Sequence, residues 1–320
     1  MTPTPKEPRF LKYAACAVLL VAALVAPFVV YPIFLMKALC FALFACAFNL
    51  MVGYTGLLSF GHAAFFGTAG YITGYLIKQN SFGPAMGILA GTVAAGVLGL
   101  LFGTLVIRRQ GIYFSMITLA LAQLIFFLYL QAPFTGGEDG LQAIPRGRLF
   151  WVINLENDLK LYYFVLAIFI AGVFLTWRII NSPFGQVLKA IRENEPRAIS
   201  LGYDVQRFKL IAFVLSAALS GLAGATKALV FTFVTLTDSD WHTSGDVVLM
   251  TLLGGMGTVF GPVVGAFSIV TLENELSDKV GPFVTVIIGV IFVCSVLIFR
   301  RGIVGEVAAL YRRVVGAREQ

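Results

Sequence analysis

Charge is scarce in this sequence, and that scarcity limits the class of protein it can form. Only 12% of its 320 residues are charged, against about a quarter in a typical soluble domain. Hydrophobic residues make up 59% of the chain, and its mean hydropathy is +0.90. So few charged side chains cannot cover the surface of a water-soluble chain of this length. The composition therefore excludes a soluble fold and predicts a polytopic membrane protein.

Signals for catalysis and for metal binding are also missing. No lysine is followed by serine or threonine, so the chain has no Walker A motif for binding ATP. Every aspartate and glutamate falls in a predicted loop or at the end of a predicted span. The four cysteines lie in apolar runs and have neither pairing nor metal-ligand spacing: Cys16, Cys40, Cys46 and Cys294. The two histidines, His62 and His242, are far apart in the sequence. We therefore predict no catalytic residue, no cofactor and no metal site.

Long apolar runs recur along the chain, with the length of about 17 to 25 residues that crosses a hydrocarbon core. They are residues 11–30, 33–52, 62–78, 84–107, 111–131, 161–179, 210–233 and 282–299. We interpret the first run as a span, because it lacks a convincing signal-peptide cleavage site. A further stretch, residues 244–272, is interrupted by glycines, so it either crosses twice or re-enters.

Basic residues beside these runs predict the orientation of the chain. Sixteen lysines and arginines fall in segments assigned to the inside and six in segments assigned to the outside, as the positive-inside rule requires. The fold class is therefore all-α, a membrane helical bundle of about ten transmembrane helices, or eight if residues 244–272 only re-enter. Both termini are predicted to be cytoplasmic. Residues 1–320 form one transmembrane domain, with a cytoplasmic loop at 180–209 and an external loop at 132–160.

Small residues at every fourth position predict close helix packing. One ladder lies in the fourth run and another in the seventh: Gly87, Gly91, Ala95, Gly99 and Gly103, then Ser216, Ser220 and Gly224. Helices in lipid associate through such faces, because the backbones can approach closely. A transport path lined by these ladders is the alternative.

The segment from Ser182 to Asp204 is more structured than a simple connection between spans. Ser182 and Pro183 are suited to begin a helix, and four apolar residues then share one face: Phe184, Val187, Leu188 and Ile191. Pro196 interrupts this helix, and Gly202 is placed to close a second short one. The pair could lie on lipid headgroups or dock a soluble partner. Its length favours a partner.

The same segment resembles the coupling loop of permease subunits in ATP-binding-cassette importers. Its form SPFGxxLxAIREN is similar to that of the branched-chain amino acid permease family. The similarity extends over further blocks: Asn49–Tyr71, Ile117–Gln123, Thr135–Pro145, Gly221–Ala228, Leu252–Ala266 and Arg300–Gly305. Within that family the chain looks like the longer of two paired permeases. It departs from the usual family residues at Lys227, Thr237-Asp238 and Arg300, so urea, short amides and aromatic or other small carboxylates stay open as substrates.

The resemblance implies a permease subunit of an ATP-driven importer for branched-chain or related small amino acids in a bacterial-type inner membrane. The implied partners are a sister permease, cytoplasmic ATP-binding subunits, an external substrate-binding protein and the lipid bilayer, with no nucleic acid. The implied ATPase-coupling residues are Phe184, Gly185, Leu188, Lys189, Ala190, Arg192, Glu193, Ala198 and Gly202. A self-sufficient channel or ion-coupled carrier is less favoured, because the spans contain almost no ionisable groups to bind a coupling ion.

Two glycine-rich breaks are candidate walls of a substrate pathway. The first runs from Gly53 to Gly61 and leads into His62, and the second runs from Gly254 to Gly261. Non-helical backbone at membrane depth is tolerated where protein or water covers it, and helix ends there can bind charged groups. The candidate pathway residues are Asn49, Ser59, Gly61, His62, Gly254, Gly255 and Gly257. Ordinary turns with packing roles are the alternative.

Lys227 is an unusual charge inside a predicted span, near its outer end. An uncompensated lysine at the bilayer centre is unfavourable. We expect it to reach the interface or to pair with Asp238 or Asp240, with a contact to a substrate carboxylate as the alternative.

Overall fold

The computed structural model describes residues 21–80, 82–149, 153–283, 286–291, 293 and 302–306. We number its principal helices in chain order: α1 Pro32–Thr55, α2 His62–Asn80, α3 Pro84–Val106, α4 Ile112–Gln131, α5 Asp158–Ile180, α6 Pro183–Glu193, α7 Glu195–Ser200, α8 Val205–Phe231, α9 Trp241–Gly254 and α10 Gly261–Val280. A small antiparallel hairpin pairs β1, Arg148–Leu149, with β2, Ile153–Asn154. Residues 286–291 and 302–306 are also helical.

Among the described residues, five helices are long and apolar enough to cross a membrane, namely α1, α3, α4, α5 and α8. The chain is therefore a helical, multi-pass membrane protein, and these helices follow five of the predicted runs closely. About half of each predicted span at 11–30 and 282–299 falls outside the described residues. The count of ten spans and the location of both termini thus stay predictions.

The inner part of the bundle is made by α1, α2 and α8. α2 is less apolar than the five span candidates, yet most of its residues are buried. It packs against α8 and α3, while α1 packs against α8 and α5. The outer helices α3, α4 and α5 expose large apolar side chains on their free faces.

Close backbone approach explains the predicted ladders of small residues. A Cβ on Gly91 would lie 2.6 Å from the carbonyl oxygen of Ala69, and one on Gly103 would lie 2.5 Å from Leu210 Cδ1. Gly224 sits against the backbone of Phe66. The packing interpretation of both ladders is therefore confirmed for the contacts among α2, α3 and α8.

Residues 241–280 form two helices rather than one long span. α9 has 14 residues and α10 has 20. The non-helical residues 255–260 join them, and α10 turns back along α9, with Gly265 against Met250. The turn lies at the end of the bundle that also contains the end of α1.

The predicted external loop is attached to the opposite end of the bundle. Leu141 and Val234 exchange two backbone hydrogen bonds of 2.9 Å, and the Ile144 N–H donates to the Thr232 carbonyl at 2.8 Å. Arg146 joins the loop to the start of α5 through a 2.7 Å ion pair with Asp158. The segments predicted for each side of the membrane therefore gather at opposite ends of the bundle.

Candidate functional site

The loop at residues 180–209 folds into the two short helices that its sequence predicts. The Ser182 hydroxyl accepts a 3.3 Å hydrogen bond from the Gly185 N–H and caps α6. The Asn194 side chain caps α7 by accepting from the Arg197 N–H at 3.0 Å. Gly202 follows α7 with a positive φ of 86°, as a left-handed closing residue should.

The apolar face of α6 is covered by the chain itself. Leu188 and Ile191 are buried, and Ile191 packs with Ala198 and Val205. The Phe184 ring stacks on Phe208 with centroids 5.6 Å apart. The sequence left lipid or a partner as the cover for this face, but α7 and α8 occupy it. Amphipathicity identified a buried face without identifying what buries it.

A buried ion pair fixes α7 against α8. Lys209 Nζ lies 2.7 Å from Glu195 Oε2, and the lysine side chain is only 4% exposed. Sequence reasoning missed this pair because charges in a loop are usually solvated. The apolar residues around Lys209 recur at helical spacing, so this side of α8 faces the loop. That spacing is the signal that points to the Lys209–Glu195 pair.

Gly185 allows α6 to begin directly against the end of α5. A Cβ at this position would lie 2.6 Å from the Ile179 carbonyl oxygen and would also collide with that of Ile180. Both obstacles are backbone atoms, which cannot move aside like a flexible side chain. The position therefore requires glycine.

Arg192 reaches from α6 to the transmembrane helices. Its guanidinium donates a hydrogen bond to the Gly53 carbonyl in the last turn of α1. A Cβ on Gly257 would lie 3.2 Å from the same Nη1 atom. The helix pattern predicts an outward polar side chain, and Arg192 is exposed, but its guanidinium reaches the C-terminus of α1, where a cation is favourable.

The end of α1 and the turn at residues 255–260 are joined side by side. The Asn49 amide donates to the Thr258 carbonyl at 2.8 Å and accepts from the Gly257 N–H at 2.9 Å. The Tyr54 hydroxyl donates to the Gly257 carbonyl at 2.9 Å, and Lys189 Nζ lies 5.7 Å from the centre of the Tyr54 ring. The two predicted breaks thus meet at one junction with α6.

The first break is shorter than the sequence predicts. α1 continues through Gly53 to Thr55, and Gly56 closes it with a φ of 76°. A Cβ on Gly53 would lie 2.8 Å from the Gly257 backbone nitrogen. Glycine at this position allows close contact inside a helix and does not interrupt it. The non-helical stretch is residues 56–61.

The second break is a compact turn. Gly254 ends α9 against the Gly261 carbonyl, and Gly255 and Gly257 have positive φ values of 116° and 77°. Gly302 packs on it, since a Cβ there would lie 2.5 Å from the Gly255 nitrogen. A later part of the chain therefore also contacts this junction.

His62 and Ser59 are completely buried. His62 Nε2 lies 2.8 Å from the Ser216 hydroxyl, which donates at 2.6 Å to the Ala47 carbonyl. Because that single hydroxyl proton goes to Ala47, the histidine must donate from Nε2. His62 therefore links α1, α2 and α8.

Two further candidate residues complete this region. The Ser59 hydroxyl accepts a 3.2 Å hydrogen bond from the Gly61 N–H. A Cβ on Gly61 would lie 3.0 Å from the Thr118 carbonyl oxygen on α4. In this conformation the residues at the start of α2 are enclosed by helices, and they do not line an open route.

Lys227 forms the pair that its sequence position suggests. Its ammonium pairs with Asp238, and the two side chains are 12% and 8% exposed. The second Asp238 oxygen accepts from the Thr235 N–H at 3.3 Å. Asp240 pairs instead with His242 at 2.7 Å. Pairing with Asp238 is confirmed, and a contact to substrate stays a prediction.

Comparison with known proteins gives a family match over most of the chain. The profile of the family described as "Branched-chain amino acid transport system / permease component" matches residues 30–296. The high-affinity branched-chain amino acid permease protein LivM of Escherichia coli K12 is 28% identical over 253 residues, which cover 72% of this chain and 60% of that protein. No solved structure matches the chain.

Two relatives come from one organism, Methanocaldococcus jannaschii. A probable branched-chain amino acid permease LivM is 25% identical over 262 residues, covering 70% of this chain and 75% of the relative. A probable permease LivH is 26% identical over 133 residues, covering 40% of this chain and 39% of the relative. The same organism thus has two different proteins similar to this chain.

Proposed function

Because the chain belongs to the family of permease components of branched-chain amino acid transport systems, we propose that it is the membrane subunit of an ATP-driven importer for branched-chain or related small amino acids. An external binding protein delivers the substrate to the end of the bundle that holds residues 132–160. A second permease completes the membrane unit. Cytoplasmic ATPase subunits dock at residues 180–209, and the complex resides in a bacterial-type inner membrane.

The observation that carries this proposal is the contact of Arg192 with Gly53 and Gly257. A loop that only joined two spans would need no contact with the ends of other helices. Here the folded loop bonds to α1 and touches the turn between α9 and α10. Such an arrangement suits a segment that receives a mechanical input from a partner.

The outer surface of the loop offers a docking patch. Ile199, Leu201 and Tyr203 are exposed at the end of α7, with Arg197 beside them. Apolar side chains with a charged rim are typical of a protein contact surface. We therefore assign the ATPase contact to this patch, because Phe184 and Leu188 face inward.

Movement of the loop would reach the inner helices through existing contacts. Arg192 would pull α1 and the turn together, since Asn49 and Tyr54 bond to that turn. α1 in turn contacts Ser216 through the Ala47 carbonyl. Displacement of α1 would separate it from α2 and α8, and would open the enclosed residues Ser59 and His62 to substrate.

Reconstitution tests the function. The chain would be placed in proteoliposomes with the second permease, the ATPase subunits and the external binding protein encoded alongside it. Leucine uptake should require ATP on the ATPase side and should be competed by isoleucine and valine. Equal uptake by the permeases without ATPase subunits would instead establish a self-sufficient channel or carrier. Competition by urea or benzoate alone would move the substrate to the other classes.

A further inference from the structure

Two buried hydroxyl groups lie close to the ion pair of Lys227 and Asp238. They belong to Tyr71 on α2 and to Ser239, and both residues are completely buried. Neither hydroxyl has a hydrogen-bond partner within the described part of the chain. A buried hydroxyl without a partner is unfavourable and uncommon in proteins. These four residues, which we refer to as the polar cluster, therefore have hydrogen-bonding capacity left for a ligand.

Packing of α2 brings the two hydroxyls and the ion pair together. Gly67 lies one turn before Tyr71, so the two residues share a face of α2. A Cβ on Gly67 would lie 2.9 Å from the Ser239 Cβ, which places this face against residues 236–239. Ser239 follows Asp238 in the chain, and the Asp238 carboxylate acts electrostatically on the Tyr71 hydroxyl. The polar cluster is thus one site rather than separate residues.

An open recess of about 390 Å³ lies beside the polar cluster, at the end of the bundle that holds residues 132–160. Its wall is formed by Asp139, Gln142, Ala143, Thr232, Phe233 and Thr235. The centre of the Phe233 ring is 5.9 Å from Lys227 Nζ, and the Thr235 N–H donates to Asp238 at 3.3 Å. Small-molecule pockets have volumes of about 300–1,000 Å³. The recess therefore has room for a small molecule next to the ion pair.

The backbone at the wall of the recess is strained. Ala143 and Thr232 have φ values of 56° and 61°, and they are the non-glycine residues with positive φ in the described part of the chain. The Ile144 N–H holds the two segments together by donating to the Thr232 carbonyl. Positive φ is especially unfavourable for a β-branched residue, and such strain is found most often at functional sites. The recess is therefore a defined part of the fold.

Charge determines which small molecule suits the polar cluster. Lys227 and Asp238 are 12% and 8% exposed, and together they carry no net charge. A simple carboxylate or amine would pair with one of them and leave the other charge buried without a partner, which is costly. Urea has no charge and would separate the pair without replacing either partner. A zwitterion offers a carboxylate to Lys227 and an ammonium group to Asp238 at the same time.

We propose that the polar cluster binds the α-carboxylate and the α-ammonium group of a substrate amino acid that enters from the recess. Lys227 and the hydroxyls of Tyr71 and Ser239 bind the carboxylate, and Asp238 binds the ammonium group. The direct contact between Lys227 and Asp238 is the closed form of the site, which the zwitterion opens by taking the place of each partner. The inference rests on the proposed function and adds the residues that recognise the substrate.

Ligand-dependent thermal unfolding tests the site. The purified complex of both permeases and the ATPase subunits would be heated in detergent, without the external binding protein, in the presence of each of three probes. The probes are leucine, 4-methylpentanoate, which lacks the ammonium group, and 3-methylbutylamine, which lacks the carboxylate. Millimolar leucine should raise the unfolding midpoint by about 2 °C, and the other two should not. An equal rise with either of them would overturn the proposal.

Two variants show whether the polar cluster is responsible for the rise. Lys227→Met combined with Asp238→Asn removes both charges together, so the chain should stay folded while the rise with leucine is lost. Tyr71→Phe removes a hydroxyl without a described partner, so it should leave the midpoint without ligand unchanged and should reduce the rise. Tyr162→Phe on α5 is the matched control and should keep the full rise, because its hydroxyl donates to the Ala23 carbonyl. A full rise in the double variant or in Tyr71→Phe would overturn the proposal.

Uptake by the same complex separates this inference from the proposed function. If the reconstituted wild-type complex takes up leucine with ATP and its unfolding midpoint does not respond to leucine, only the assignment of the site fails. If the wild-type complex transports no amino acid, the proposed function fails as well.

Discussion

Arg192 joins the loop at residues 180–209 to the end of α1. Hydrogen bonds to charged groups contribute about 1.5–3 kcal/mol, and the Gly53 carbonyl accepts one from this guanidinium. The rest of α6 is held by its apolar face. Removing the Arg192 side chain should therefore weaken the contact between the loop and α1 without unfolding the loop.

We predict that Arg192→Ala lowers uptake per assembled complex by about tenfold or more, with ATPase association unchanged. Uptake and ATP hydrolysis would be measured on the same purified complexes. Arg109→Ala is the control, because Arg109 is exposed at the turn after α3 and should give wild-type uptake. Undiminished uptake in Arg192→Ala would remove the residue from the transmission route.

The Lys227–Asp238 pair leads to a second prediction at this scale. Breaking one partner of a buried pair costs about 3–5 kcal/mol, because the other charge stays buried. Asp238→Asn should therefore lower the midpoint of thermal unfolding in detergent. The double variant Lys227→Met with Asp238→Asn should recover most of the loss.

The exposed pair of Arg207 with Asp204 supplies the control. Its side chains are 83% and 51% exposed, so Arg207→Ala should change the unfolding midpoint little. Similar decreases of the unfolding midpoint in Arg207→Ala and Asp238→Asn would mean that burial of the Lys227–Asp238 pair does not increase its contribution to stability. A normal midpoint with altered uptake in Asp238→Asn would support a contact with substrate.

At the scale of elements, the start of α6 is tightly constrained by the end of α5. Its first turn lies against two carbonyl oxygens of α5, so Gly185 has no room for a methyl group. Overpacking of this kind costs about 1–3 kcal/mol. The constraint fixes the angle between α5 and the loop.

We predict that Gly185→Ala destabilises the chain or shifts α6 and thereby reduces uptake. The control is Gly245→Ala in α9, where a Cβ would meet open space and alanine favours the helix. Thermal unfolding and uptake would be compared for the two variants. Equal behaviour would show that the contact with α5 tolerates a side chain.

Sequence patterns predicted α6 well in one respect and poorly in another. Ser182, Pro183 and the apolar spacing are local signals, and the helix begins where they indicate. The cover of its apolar face is formed by tertiary contacts with α7 and α8, which the residue pattern within α6 does not specify. Gly53 illustrates the same limit. The sequence alone does not distinguish a glycine that ends a helix from one that lets a neighbouring backbone approach closely.

For the whole molecule, the apolar runs predicted the position of most membrane helices, since length and hydropathy are set by the bilayer itself. The burial of α2 was not predictable in this way, because its lower hydropathy reflects contact with protein rather than lipid. The meeting of Asn49, Arg192 and Gly257 was not predictable either. It joins parts of the sequence that no periodicity connects.

Orientation in the membrane yields the last prediction. In a background without the four native cysteines, Asp139→Cys should react with an impermeant maleimide in intact cells, and Gln186→Cys should react only after the membrane is opened. Both positions are exposed, so access depends on the side of the membrane. Labelling of Gln186→Cys from outside would reverse the orientation and remove the docking role of the loop.

The junction at the end of α1 has a consequence for protein engineering. Its parts come from four separate stretches of sequence, represented by Asn49, Arg192, Gly257 and Gly302. A chimera that took only the loop at residues 180–209 from a relative would place the relative's side chains against glycines that fit the native Arg192 contact. Exchange of the proposed ATPase docking between relatives should therefore succeed only when all four stretches are transplanted together.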